Sequence, residues 1–375
     1  MCDWRIALNI LYDHQAFSLQ SAGGITRYFR ELMSRLSRME GITPVALLGF
    51  SSAHSSVPEF TGTAHTLLWN NSPFLPGLAT YALNESVLNL VALASGKFDI
   101  YHNTLYRFMP LARSRRLVAT HHDCIQERFP EFFTDRDRIF RAKRRMFQQA
   151  DLVFCVSESS RADLEEFYGI GQHKTRVVYN GVSDMKRSLK GQDELRKIVD
   201  RDFILYVGKR DAYKNFAGLV KAMQLSGVYH THRLVALGGG TLTVEERKLI
   251  MDAGLEEVIT IVPYASFDLL AEGYATASLF VYPSLYEGFG LPPLEAMQMR
   301  CPALVARSTA TSEVCIDGAF FFDPKFTEEF SEMLKFSLYN SSAREAVIKR
   351  GLNVVRRYSW DRTAEAVLAG YQEVL

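Results

Sequence analysis

Two glutamates eight positions apart, Glu287 and Glu295, are the residues whose type and spacing best suit chemistry. They flank a loop rich in glycine and proline, EGFGLPPLE. The apolar run at 277–282 predicts a buried strand before the loop, and the double proline predicts the first turn of a helix, where proline is tolerated. Free amides at a helix N-terminus can hold a diphosphate, and a carboxylate can accept hydrogen bonds from two neighbouring sugar hydroxyls. The segment therefore indicates a sugar-nucleotide site.

Two loops in the first half of the chain also follow strand-like runs. Gly23 and Gly24 lead directly into a helix, so they can offer bare amides to an anion or a sugar, or form a flexible turn. His121 and His122 end the run LVATHH and would point to opposite faces of a strand. One of them can therefore meet a substrate hydroxyl or a developing charge while the other is a core or surface residue.

A basic loop follows the strand-like run at 203–207. It carries Lys209, Arg210 and Lys214 in the sequence VGKRDAYKN. Clustered cations can neutralise the charge that grows on a departing nucleoside diphosphate, without a metal. The alternative, a basic loop that is merely solvated, is the simpler interpretation of these residues taken alone.

Nearly the whole chain resembles the retaining family 4 glycosyltransferases, from GGITRYF to YSWDRTAEAVLAGYQEVL. The glutamate pair resembles the family's motif of two glutamates separated by seven residues. The stretch THHDCIQERFPEFF is similar to the family's strand-end histidine followed by aspartate, which maps to His122 and Asp123, although Cys124 stands where an aliphatic residue is usual. FSLQSAGGITRYF and HHDCIQERFPEFF look most like the bacterial polysaccharide mannosyltransferase branch.

The resemblance implies a role for each of these residues. Glu295 would hold the ribose diol, while Glu287 and His122 would orient the hexose hydroxyls. The diphosphate would meet Lys214 and one earlier cation, for which Arg210 is preferred over Lys209. The implied catalytic set is His122, Glu287, Arg210 and Lys214. The implied donor-binding set is Lys209, Gly288, Phe289, Gly290, Leu291, Glu295, Gly23 and Gly24.

Alternating strand-like and helical runs predict an α/β protein with doubly wound parallel sheets. The resemblance implies the GT-B architecture, in which two Rossmann-like domains face each other across the active-site cleft. We predict an acceptor-side domain at 1–183, completed by a helix at about 358–375. The other predicted parts of the chain are a polar linker at 184–202 and a nucleotide-sugar-binding domain at 203–357. Residues 78–94 are predicted as core helix rather than a membrane span.

Composition narrows the class of protein. The chain has 375 residues, 47% hydrophobic and 23% charged, as expected for a globular protein of two domains. A net charge of +1 argues against nucleic acid as a partner. The five cysteines lack zinc-type spacing, so free cytosolic thiols are expected. No signal peptide precedes the first strand, which predicts a cytoplasmic location.

The function that the resemblance implies is metal-independent transfer of a hexose with retention. The preferred donor is GDP-mannose, and the acceptor is a saccharide or lipid-linked oligosaccharide of surface polysaccharide or lipopolysaccharide biosynthesis. No cofactor is expected. The alternatives are a GT-B epimerase or phosphorylase, a glycoside hydrolase that uses Glu287 and Glu295, and a non-catalytic carbohydrate-binding relic. The basic run at 136–145 is either a contact with the inner face of the membrane or a solvated surface.

Overall fold

The computed structural model describes residues 8–18, 23–46, 84–86, 90, 97–106, 113–200 and 202–375. It divides the chain into two compact units, Met1–Gly181 with Ser359–Leu375, and Val182–Tyr358. Of the core helix predicted at 78–94, only 84–86 and 90 are described, and these four positions are helical. The remainder of that prediction lies outside the described residues.

The first unit is built on a parallel sheet. Its strands are β1 (Leu8–Tyr12), β2 (Ile42–Ala46), β3 (Phe98–Asn103), β4 (Ser114–His121), β5 (Leu152–Cys155) and β6 (Thr175–Val177). They lie in the order β2-β1-β3-β4-β5-β6, and every neighbouring pair is parallel. The residues of β5 are all buried apolar side chains, as a central parallel strand covered on both faces requires.

The first unit also contains several helices. They are α1 (Gln15–Ser18), α2 (Gly24–Leu36), α3 (Ile125–Arg128), α4 (Arg136–Gln149) and α5 (Glu158–Tyr168). Helix α2 buries Phe29, Leu32 and Leu36, whose spacing forms one apolar face. Helix α5 starts at a capping box on Ser157 and stops at Gly169, whose φ of 68° is the left-handed conformation that glycine adopts easily.

The second unit repeats the same architecture. Its strands are β7 (Phe203–Val207), β8 (Arg233–Leu237), β9 (Ile259–Val262), β10 (Leu279–Tyr282), β11 (Ala303–Ala306) and β12 (Phe320–Phe322). All neighbours are parallel, in the order β12-β11-β10-β7-β8-β9. Its helices are α6 (Leu189–Arg196), α7 (Phe216–Ser226), α8 (Val244–Asp252), α9 (Phe267–Thr276), α10 (Leu291–Gln298), α11 (Thr309–Cys315), α12 (Thr327–Tyr339) and α13 (Ser341–Val355).

The final helix, α14 (Trp360–Val374), returns to the first unit and packs against α2. Trp360 is 1% exposed and lies with its ring centroid 6.1 Å from that of Tyr28. A Cβ on Gly370 would stand 2.6 Å from the ring of Phe154, so only glycine permits this approach of helix to sheet. Trp360 therefore anchors the final helix by packing against the first unit.

The segment 184–202, predicted as a linker, is part of the second unit and contains α6. Arg187 donates to both carboxylate oxygens of Glu272 at 3.0 and 2.6 Å. Ser188 caps α6 through Gly191 N and also donates to Asp268 at 2.8 Å. These contacts with α9 hold in place a polar sequence that has little apolar surface of its own. The segment is thus an ordered part of the second unit, which corrects the prediction of a linker.

Candidate functional site

Several residues of the second unit that the sequence predicts to bind the donor lie at the point where the strand order of its sheet reverses. Strand β7 lies next to β10 although two strands, β8 and β9, separate them along the chain. The loops that leave two such neighbours run in opposite directions, which opens a crevice at the carboxyl ends of the strands. Lys209 and Lys214 follow β7, and Glu287 follows β10.

An ion pair joins the two loops at this point. Lys214 Nζ lies 2.6 Å from Glu287 Oε1, and the two side chains are 17% and 10% exposed. The backbone amide of Leu285 also donates to the carbonyl of Tyr213 at 2.8 Å. A cation and a carboxylate predicted to meet different parts of one donor thus contact each other in this structure.

Aromatic rings frame the ion pair. The Lys214 ammonium lies 5.1 Å from the ring centroid of Tyr213 and 5.8 Å from that of Tyr282. Burial is the larger cause, and the charge of Glu287 the second, that raises the pKa of the Tyr282 phenol well above its ordinary value. The same two causes raise the pKa of Tyr206. Both phenols therefore stay neutral, and Tyr282 can donate its hydrogen to Glu287.

The second glutamate lies in a short helix that begins as predicted. Gly290 precedes α10 with φ 95°, and prolines occupy its first turn. Glu295 is 3% exposed, and its Oε2 accepts a hydrogen bond from the hydroxyl of Tyr274 at 3.0 Å. Tyr274 was not predicted to belong to the site, because nothing in its local sequence distinguishes it from an ordinary buried helix residue. It fixes the carboxylate in one orientation.

The loop before α10 is packed tightly. Gly288, Phe289 and Gly290 are all buried, and the ring of Phe289 makes an edge-to-face contact with Tyr358 at 5.7 Å. Because the Phe289 side chain is used in packing, its backbone is the part that can serve a ligand. Leu291, half-buried, begins the helix.

Arg210, preferred over Lys209 as the first phosphate cation, has its side chain engaged by other residues of the second unit. The Arg210 side chain is 2% exposed and binds Glu246 Oε1 through Nε at 2.9 Å. Its terminal nitrogens donate to four backbone carbonyls of residues 238–241 at 2.9 to 3.3 Å. Lys209 is exposed. The buried guanidinium is already engaged through all three nitrogens, so Lys209 is the cation available to a ligand.

The glycine pair of the first unit lies at the start of α2, as predicted. Gly23 precedes the helix and Gly24 is its first residue, where an added Cβ would meet nothing within 4 Å. Thr26 donates to the carbonyl of Ala16 at 2.8 Å, which ties the start of α2 to α1. Space for a Cβ at Gly24 means that local packing does not require glycine there.

The two adjacent histidines have different surroundings, as expected of neighbours at a strand end. His121 is fully buried at 5.2 Å from the ring of Phe147 and is a core residue. His122 follows β4 and lies 5.2 Å from the ring of Tyr28. Burial, as the larger cause, and the charge of Lys143, as the second, lower the pKa of His122 to about 3. The ring is therefore neutral at pH 7. Its Nε2 has no hydrogen-bond partner among the described residues.

A buried lysine supports the loop after His122. Lys143 is 1% exposed, and its Nζ lies 3.1 Å from both carboxylate oxygens of Glu127. It also donates to the carbonyl of Asp123 at 3.1 Å. The sequence placed Lys143 in an exposed basic run, which is wrong for this residue. Its neighbours Arg144 and Arg145 are exposed.

The part of the chain that the structure describes contains neither a metal-binding cluster nor a membrane-spanning helix. No group of three or more His, Cys, Asp or Glu side chains there is arranged to hold a metal ion. Nor does any helix in those ranges have the length and apolarity needed to cross a bilayer.

Known proteins resemble the chain in both sequence and structure. Residues 22–185 match Glycosyltransferase Family 4, and residues 190–354 match Glycosyl transferases group 1. O-antigen chain mannosyltransferase B of Escherichia coli is 27% identical over 93% of this chain and 96% of its own length. O-antigen chain mannosyltransferase RfbU of Salmonella typhimurium is 25% identical over 70% of this chain and 71% of its own.

A solved structure shares the fold. Anabaena Alr3699/HepE, crystallised with UDP and glucose, superimposes with a TM-score of 0.76 at 17% identity, covering 97% of this chain and 99% of the Anabaena chain. The matched families span both units, and the two parallel six-stranded sheets agree with the fold that the sequence predicted. The chain therefore belongs to the family 4 glycosyltransferases, which have the GT-B fold.

Proposed function

We propose that this glycosyltransferase moves a hexose from a nucleotide sugar to a saccharide or lipid-linked oligosaccharide in surface polysaccharide biosynthesis, with retention at the anomeric carbon and without a metal. The observation that carries the proposal is the 2.6 Å pair between Lys214 and Glu287 at the switch point of the second sheet. Mannose from GDP-mannose is the proposed transfer, supported by the names of the two O-antigen mannosyltransferases.

The ion pair suggests how the site responds to its donor. A diphosphate carries more charge than a carboxylate, so it can replace Glu287 as the partner of Lys214. The exchange frees Glu287 to accept hydrogen bonds from hydroxyls of the hexose. As the glycosidic bond breaks, the leaving diphosphate gains negative charge, which Lys214 and exposed Lys209 stabilise.

The remaining predicted roles are part of the same proposal. Glu295, held by Tyr274, accepts from the ribose hydroxyls, and the backbone from Gly288 onward offers amides to the phosphate and sugar. His122, neutral and with Nε2 available among the described residues, hydrogen-bonds a hydroxyl of the transferred hexose. Gly23 and Gly24 give the donor and acceptor access to backbone amides.

The same contacts argue against glycoside hydrolysis. A hydrolase needs two carboxyl groups directed at one glycosidic bond, one as acid and one as nucleophile or base. Here Glu287 binds Lys214, and Glu295 binds Tyr274 within a helix. An epimerase or phosphorylase differs from a transferase in its stoichiometry, because only the transferase releases one nucleoside diphosphate for each glycosylated acceptor.

The donor and the stereochemical course are tested together. Purified protein is screened by thermal shift against GDP-mannose, UDP-glucose and UDP-galactose, since a ligand that binds only the folded state raises Tm. The donor that binds is then incubated with an acceptor lipid extract, with and without EDTA, and the new anomeric proton is assigned by NMR. The proposal expects GDP-mannose binding, an α-linked product and an unchanged rate in EDTA. A β-linked product or loss of activity in EDTA would contradict it.

We further propose that the enzyme works in the cytoplasm at the inner face of the membrane and that α4 contacts anionic lipid. Its exposed arginines are Arg136, Arg138, Arg141, Arg144 and Arg145. Phe132, 48% exposed, lies just before them in the chain. Basic side chains near the surface of an anionic bilayer each contribute about 1 kcal/mol. Co-sedimentation with phosphatidylglycerol vesicles but not phosphatidylcholine vesicles, lost in Arg141→Glu/Arg145→Glu, is expected. Equal sedimentation with both vesicles would contradict this surface.

A further inference from the structure

The surroundings of Arg210 differ from those of a ligand-binding arginine. Its Nη1 donates to the carbonyl of Gly238 at 2.9 Å, and its Nη2 donates to those of Gly240 and Thr241 at 2.9 and 3.1 Å. Nε binds Glu246, whose other oxygen accepts from Thr243 N at 2.8 Å in the capping box of α8. One buried guanidinium thus closes the loop after β8 and ties it to the start of α8.

That loop cannot keep its shape through side chains of its own. Gly238, Gly239 and Gly240 all have positive φ, at 88°, 79° and 76°. A Cβ on Gly239 would stand 2.7 Å from the carbonyl oxygen of Gly208 and 3.0 Å from Arg210 Nη1. Consecutive glycines with positive φ are entropically costly to order, and their carbonyls converge on one point where a single donor group can bind them. Arg210 is that donor.

The same residue lies in the backbone between the two lysines of the site. Lys209 precedes it, and the turn that follows closes with Lys214 N donating to the carbonyl of Asp211 at 2.8 Å. On the other side, the hydroxyl of Tyr206 donates to the carbonyl of Lys209. Fixing the Arg210 side chain therefore restricts the backbone that presents both cations.

We propose that Arg210 is a positioning residue that locks the loop after β7 onto the glycine loop after β8, so that Lys209 and Lys214 are held ready for the diphosphate of the donor. It acts through these lysines and does not bind phosphate itself. This inference rests on the proposed function, because it assumes a nucleoside diphosphate at this site.

A double-mutant cycle tests the inference. The affinities for GDP and for guanosine are measured by calorimetry for the wild type, R210K, K209M and R210K/K209M. Lysine keeps the charge but loses the planar fork, so it cannot reach all the carbonyls. We expect R210K to weaken GDP binding by about 10-fold, the loss of one well-placed charge-assisted hydrogen bond, and to leave guanosine binding unchanged. In the K209M background the effect of R210K should shrink to about 2-fold, because residues that act through one another are not additive.

Two results would overturn the inference. If R210K weakens GDP binding by the same factor with and without K209M, then Arg210 contacts phosphate independently. If R210K binds GDP as the wild type does, the lock has no role. The matched control is R247K, which changes an exposed arginine on α8 in the same way and should leave GDP binding unaltered.

Hydrogen exchange provides a readout that needs no nucleotide. In R210K the amides of 208–214 and 238–241 should exchange at least about 10-fold faster than in the wild type, since exchange reports local opening, whereas R247K should not change them. Should R210K fail to fold, E246Q, which keeps one hydrogen bond and removes the charge, should accelerate the same amides to a smaller degree. Unchanged exchange in these variants would refute the lock. Absence of binding of GDP and UDP to the wild type would instead refute the proposed function.

Discussion

The substitution Lys214→Ala removes the cation that we place against the leaving diphosphate. The proposed function has the donor replace Glu287 as the partner of Lys214 in the ground state, since the ammonium already lies 2.6 Å from Glu287 Oε1. Replacing one ion pair by another changes the free energy of binding little, so the Kd for the donor should rise by less than about 10-fold, or 1.4 kcal/mol.

The transition state is different, because the leaving group gains negative charge that the ground state lacks. Two unit charges about 4 Å apart interact by about 4 kcal/mol at an effective dielectric constant of about 20. Measured losses for a single group of this kind are about 100- to 1000-fold in kcat. We therefore expect kcat of K214A to fall by about 100-fold or more while the Kd for the donor stays within about 10-fold.

The assay is a steady-state measurement of nucleoside diphosphate release, combined with calorimetric Kd values for the donor. Lys221→Met, which changes an exposed lysine on α7, is the control and should leave both constants unaltered. An unchanged kcat in K214A would refute the role. So would a rise in Kd that accounts for the whole loss of kcat/KM, because that pattern is uniform binding rather than transition-state stabilisation.

Three further perturbations have defined outcomes. Glu287→Gln removes the carboxylate that competes for Lys214, so calorimetry should show GDP binding about 3-fold or more tighter while kcat falls by about 100-fold. Lys143→Met leaves Glu127 buried without its cation and should lower the free energy of unfolding by about 3 kcal/mol or more in urea titrations. Burial lowers the pKa of His102 to about 3. Between pH 6.5 and pH 3 this histidine is therefore protonated in the unfolded chain but neutral in the folded chain. The free energy of unfolding should therefore fall from pH 6.5 toward pH 3 by up to about 1.4 kcal/mol per pH unit for this histidine, and less steeply in His102→Gln.

Each of these has a result that would contradict it. Weaker GDP binding in E287Q would mean that Glu287 does not compete with the diphosphate. The control for Lys143→Met is Arg144→Met on the exposed face of α4, and equal stability losses in the two would show that the buried pair has no special role. Parallel pH profiles for His102→Gln and the wild type would place the acid sensitivity elsewhere.

Much of the fold could be predicted from the sequence because its signals are local. The run LFVY gave β10 at Leu279–Tyr282, and the double proline gave the start of α10 within one residue of Leu291. The alternation of buried strands with helices was enough to predict two parallel sheets. The short strand β12 and helices α1, α3, α6, α11 and α13 were not predicted. Helix α6 shows why, since the residues just before it are held by an ion pair from Arg187 and a hydrogen bond from Ser188 to side chains 80 or more positions later in the chain.

The arrangement of the candidate site could be predicted only in part. Their positions after a strand-like run placed Lys209 and Arg210 on one loop. What distinguishes the two is that Arg210 donates to backbone carbonyls about 30 residues later in the chain, which local sequence does not reveal. One missed signal was available for Lys143, which lies three and four positions before Met146 and Phe147 on the buried face of α4. Another was the capping box Thr-x-x-Glu, which marks Glu246 as fixed in orientation.

The most direct test of the central claim is the stoichiometry of the reaction with GDP-mannose and an acceptor lipid extract, with GDP and mannosylated product measured in the same sample. We predict one GDP released for each mannose transferred, no requirement for inorganic phosphate, and a rate at least about 100-fold lower in K214A. Formation of mannose 1-phosphate, or of free mannose without GDP, would contradict the claim that Lys214 and Glu287 form the donor site of a glycosyltransferase.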